Sequence, residues 1–131
     1  MDASCKRLIV PGLVDSPLKL QLLLMFYRHP RLCGEAGCLN DWLHASPWAI
    51  EEALDALAET DLLVRIEQHG RILYRLEQNT WLSPWLHALA HCYDDPLRRD
   101  QVYTLVREAD RERQFRAWVV AVQQPTFEAV W

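Results

Sequence analysis

The chain has 131 residues, 50% of them apolar and 24% charged, with a formal net charge of −4. One domain with a real hydrophobic core is the expectation. The negative balance argues against whole-molecule attraction to nucleic acid or to an anionic membrane. No run approaches the length of a membrane span without a charge, so none is expected.

In chain order, "RLIVPGLV" (7–14) reads as a short strand or an extended arm. Ser16-Pro17 gives an N-cap followed by Pro at the first helical position. Residues 17–29 are apolar nearly all round, which predicts a buried helix ending before Pro30. Residues 30–37 read as a loop and 38–45 as a short helix with Leu39, Trp42 and Leu43 on one face. Ser46-Pro47 opens another helix over 47–59, where Ile50, Ala53, Leu54 and Leu57 share a face. The segments 62–68 and 71–77 alternate like strands, and His69-Gly70 between them predicts a hairpin. A helix over 81–95 follows, then a longer one from Asp95-Pro96 to about Gln123. Pro125 ends it and "TFEAVW" is a tail.

The stretch "LNDWLHASPWAIEEALDALAETDLLVRIEQHGRILYRLE" resembles the helix-turn-helix and wing of small bacterial regulators of the ArsR and MarR type. Leu39, Leu43, Ser46, Ile50, Leu54, Leu57, Leu62, Leu63, Gly70, Tyr74 and Leu76 stand where those families keep their pattern. Thr60-Asp61 replaces their usual helix-ending glycine. The resemblance covers roughly residues 17–77. It implies a mainly α fold with a small β-hairpin, a winged helix-turn-helix with flanking N- and C-terminal helices. Residues 1–80 would form the winged-helix part with its arm. Residues 81–131 would form a helical extension that packs on it or builds an interface, the whole being one compact unit. The fold serves both DNA binders and protein-binding modules, so function must come from the surface.

The helix at 47–59 occupies the place of a recognition helix, yet it holds no Lys or Arg. Its outward positions are Trp48, Glu51, Glu52, Asp55 and Glu59. In a DNA reader this face enters the major groove, where basic and amide side chains do most of the work. Carboxylates there meet the phosphates' own charge and forfeit counterion release. The face is open to three uses: a solvated surface, a protein-docking surface, or a groove reader. Candidate nucleic-acid contacts lie at Ser46 and, on the wing, at Arg65, His69, Arg71 and Arg75. Arg28, His29 and Arg31 add a second basic group, and ordinary surface arginine is the plainer account of both.

His29, Cys33, Cys38 and His44 have loose metal-ligand spacing without a tight C-x2-C knuckle, so no metal and no cofactor are expected. A redox pair at Cys33 and Cys38 is a weaker version of the same idea. His87, His91 and Cys92 add an H-x3-H spacing on a helix. The opening residues lack a leader pattern. A cytoplasmic location with all four cysteines reduced is the expectation. Glycine numbers only four, and neither a phosphate-cradling loop nor a nucleophile elbow is present, so an enzyme is not expected.

In the last long helix Val102, Leu105, Val106 and Ala109 make one apolar stripe. Phe115, Trp118, Val119 and Val122 make another, and "DRERQ" lies between, out of phase with both. A small domain cannot easily bury both, so a homodimer or another protein partner is expected at these stripes. The sequence thus predicts a non-enzymatic interaction or regulatory module acting through protein contacts. A dimeric DNA-binding regulator, metal- or redox-responsive, is the alternative.

Overall fold

In the computed structural model the described residues are 3–39, 43–77 and 82–123, the side chains of 3, 4, 37, 38 and 123 excepted. The chain is mainly helical with a small three-stranded antiparallel sheet. The order is α1 (Ala3–Lys6), α2 (Pro17–Arg28), β1 (Cys33–Gly34), α3 (Ala36–Leu39), α4 (Pro47–Glu59), β2 (Leu63–Gln68), β3 (Arg71–Leu76), α5 (Ser83–Asp94) and α6 (Pro96–Gln123).

The Ser-Pro pairs act as read. Ser16 Oγ accepts from the Lys19 amide at 3.2 Å and Ser46 Oγ from the Ala49 amide at 3.1 Å, each satisfying an otherwise orphaned donor. Asp95 does the same for α6, accepting from the Leu97 amide at 3.0 Å. Helix α2 is the centre of the molecule. Leu20, Leu22, Leu23, Leu24 and Phe26 are all buried, and α4, α5, α6 and β3 pack against it. Each fully buried leucine contributes roughly 2 kcal/mol of transfer free energy, so this nearly all-apolar helix is the main source of cohesion.

Strands β2 and β3 pair from Leu63↔Leu76 to Gln68↔Arg71, leaving a two-residue turn at His69-Gly70. Both turn residues have positive φ, 54° and 75°, as a type I′ hairpin turn requires. Helix α4 ends with Asp61 at φ 66°. The Leu62 amide donates to the Leu57 carbonyl and the Asp61 amide to the Ala58 carbonyl, both at 3.2 Å. This is a Schellman cap with aspartate where glycine is usual.

Three local expectations are corrected. Residues 7–14 form neither a strand nor an extended arm: they are a series of turns after α1, with the Val14 amide returning to the Leu8 carbonyl at 2.9 Å. The loop expected at 30–37 contains β1, which pairs with β3 through Cys33↔Arg75 and Gly34↔Tyr74. The short helix expected at 38–45 lies earlier, at α3, and residues 43–45 are bends. Trp42 lies outside the described residues.

Two long-range ties fasten the ends of the chain to this body. Asp15, 0% exposed, accepts from the Gly12 amide at 2.8 Å and from Lys19 Nζ at 2.7 Å. Lys19 takes Oδ1, and Arg113 Nε of α6 approaches Oδ2, the oxygen that also accepts from Gly12, at 3.5 Å. A buried carboxylate is tolerated only when it is paired in this way. Cys5 of α1 is disulfide-bonded to Cys92 of α5. This corrects the expectation that all four thiols are reduced. The two cysteines are 87 residues apart, and only the docking of α1 on α5 brings them together.

Candidate functional site

Helix α4 is fixed by Ile50, Ala53, Leu54 and Leu57, all buried. The opposite side projects Trp48, 74% exposed, with Glu51, Glu52 and Glu59 exposed along the helix. The indole lies largely in water at the helix start, with the Glu51 and Glu52 carboxylates exposed close by on the same helix. Ser46, a candidate nucleic-acid contact, is engaged as the helix cap.

Asp55 lies on the same outward face, with its side chain 40% exposed, and is also tied to the hairpin. It is half-buried and accepts a hydrogen bond from the Tyr74 hydroxyl of β3. Arg65 Nε of β2 lies 3.5 Å from the same carboxylate. The group ties α4 to the hairpin. Burial, then the hydrogen bond to Asp55 and the negative charge of that carboxylate, push the Tyr74 phenol up to about 12, with Arg65 opposing. A signal for this pairing existed: Tyr74 falls on the inward side of its strand, and a buried tyrosine hydroxyl needs a partner.

The wing arginines are also engaged. Arg65 faces Asp55, and Arg71 Nε pairs with Glu35 Oε1 at 2.7 Å. Arg75 is exposed and one of its terminal nitrogens reaches the Leu76 carbonyl at 3.5 Å. His69 is exposed in the hairpin turn. The hairpin therefore carries less free positive charge than its sequence suggests.

The two stripes of α6 part company. Val102 and Val106 are fully buried, and Leu105 packs partly buried against the same core. These three residues are core of the single chain, which corrects their assignment to a partner interface. Their side of α6 faces α2 and α5. Phe115 and Trp118 are each 61% exposed, Val122 is also exposed and Val119 is half-buried. At 100° per residue this second stripe points away from the first, so the same docking of α6 that buries one exposes the other.

Among the metal candidates, His29 and Cys33 line a common groove and His44 is exposed beside α4, while the side chain of Cys38 lies outside the described ones. Among the described residues no group of three or more His, Cys, Asp or Glu side chains converges as a metal site would. Cys92 is held in the disulfide, and His87 Nδ1 contacts the Tyr27 hydroxyl. Among the described residues no helix is long and apolar enough to cross a membrane.

Sequence reasoning missed the groove. It lies between the end of α2, β1 and β3, with a volume of about 780 Å³. Most of its lining comes from residues 25–39, and Arg71 and Leu73 of β3 close it; only the pairing of β1 with β3 brings the two stretches together.

Comparison with protein-family models, curated proteins and solved structures gives no match to this chain.

Proposed function

We propose that residues 17–77 form a winged helix-turn-helix and that its recognition-helix position, α4, serves as a protein-docking face in a non-enzymatic regulatory module. The order α2, β1, α3, α4 and hairpin supports the fold reading, as does the packing of α3 and α2 on α4. The observation that carries the function is Trp48, 74% exposed, flanked by Glu51 and Glu52 without a neighbouring cation on α4. Trp is the residue type most often found as an interface hot spot, and the carboxylates suit a basic protein surface. The same carboxylates repel a phosphate backbone. The exposed side chains Phe115, Trp118 and Val122, with half-buried Val119 beside them, supply a second contact surface, suited to a second copy of the chain.

The test is affinity capture from an extract of the source cells, followed by calorimetry with the purified partner. Trp48→Ala is expected to weaken binding by about 2 kcal/mol if Trp48 is the anchor. The pair Glu51→Gln and Glu52→Gln is expected to slow association and to reduce its salt dependence. A partner bound equally well by all these variants would place the docking face elsewhere.

A further inference from the structure

The groove between the end of α2, β1 and β3 has a divided chemistry. Met25, Leu32, Leu39 and Leu73 give it an aliphatic lining, and a Cβ at Gly34 would sit in contact with Leu39. Arg28, Arg31 and Arg71 stand on its rim and outnumber the single rim carboxylate, Glu35. Arg28 and Arg71 are held in place by pairs with Asp94 at 2.8 Å and Glu35 at 2.7 Å. Arg31 is exposed and makes no ion pair among the described residues, so its guanidinium is available to an incoming anion. The volume of about 780 Å³ is in the range of small-molecule sites, which are mostly apolar with a few placed polar groups.

We infer that this groove binds a single-tailed aliphatic anion, its chain on the leucine and methionine floor and its head group at Arg31. The lining decides the class of ligand. Met25, Leu32, Leu39 and Leu73 are the large apolar side chains of its described lining. Flexible aliphatic side chains suit an alkyl chain. A guanidinium fork suits a carboxylate or a phosphate monoester and disfavours a cation. This site is independent of the docking face on α4.

Cys33 supplies the readout. Its thiol is free and exposed and it lines the groove, while Cys5 and Cys92 are closed in the disulfide. In a Cys38→Ser background, alkylation by iodoacetamide then reports on Cys33. Decanoate and decyl phosphate are added below their micelle-forming concentrations, with decanol and decyltrimethylammonium as comparisons, and calorimetry gives the affinities. The expected result is severalfold slower alkylation with one or both anions and little change with the alcohol or the cation. The tighter of the two anions identifies the head group as a fatty-acid type or a phospholipid type. Arg31→Glu should weaken the anion by about tenfold, the worth of one charge-assisted contact. Gly34→Val, which adds bulk beside Leu39, should weaken the anion while thermal unfolding stays cooperative. Lack of protection by both anions would overturn the assignment. So would equal protection by alcohol, cation and anion that Arg31→Glu leaves unchanged.

Discussion

Tyr74 and Asp55 show how one hydrogen bond can change the meaning of a charged residue. Asp55 sits one turn beyond Glu51 and Glu52, yet its carboxylate also serves the hairpin. The Tyr74 phenol, raised from 10.0 to about 12, makes a pH prediction. The native state holds this proton more tightly than the unfolded state does. Its stabilisation is therefore complete below about pH 10 and is lost as pH rises toward 12. Between about pH 9 and pH 11 the unfolding free energy should fall by roughly 1 kcal/mol more in the wild type than in Tyr74→Phe. An identical pH slope in the two proteins would contradict the pairing. Asp61 offers a second test. It adopts a left-handed conformation at φ 66°, next to the negative end of α4. Asp61→Gly removes both the backbone strain and the unfavourable charge, against some gain in unfolded-state entropy. A net stabilisation of about 0.5 to 1 kcal/mol is expected. A lower denaturation midpoint would count against this account of the cap.

At the scale of elements, what the sequence made legible follows from local chemistry. The Ser16-Pro17 and Ser46-Pro47 starts, the all-apolar α2 and the His69-Gly70 turn each carry their signal within a few residues. Strand β1 carries none. It is two residues long and exists because Cys33 and Gly34 find the free edge of β3. The residues of α4 that point outward were legible from periodicity, but not the tie of Asp55, whose partner lies on another element. Helix α6 was legible in extent but not in orientation. It has 28 residues, so it is about 42 Å long, and its first half alone is packed on the body. Beyond Arg113, tied to Asp15, it presents Phe115, Trp118 and Val122 to solvent. Exposed large apolar side chains at this spacing favour helix-to-helix association. Sedimentation is expected to show concentration-dependent self-association, abolished by Phe115→Ser with Trp118→Ser. A wild-type monomer that matches the variant at every concentration would remove the second copy as the occupant of this stripe.

For the molecule as a whole, the ties that set the arrangement are the ones with least local trace. The disulfide joins residues 87 apart, and Asp15 meets Arg113 across most of the chain. The chain's net charge is −4, and helix α4 holds no Lys or Arg. On the proposed reading, the acidic face of α4 takes a protein partner rather than a DNA groove. The most direct measurement is fluorescence anisotropy at physiological salt with duplexes from repeated selection on a randomised pool, using the wild type and Glu51→Gln with Glu52→Gln. The account predicts an unenriched pool, negligible binding by the wild type, and weak, salt-sensitive, sequence-independent binding gained by the variant. Tight sequence-specific binding by the wild type, lost on Trp48→Ala or Ser46→Ala, would contradict it.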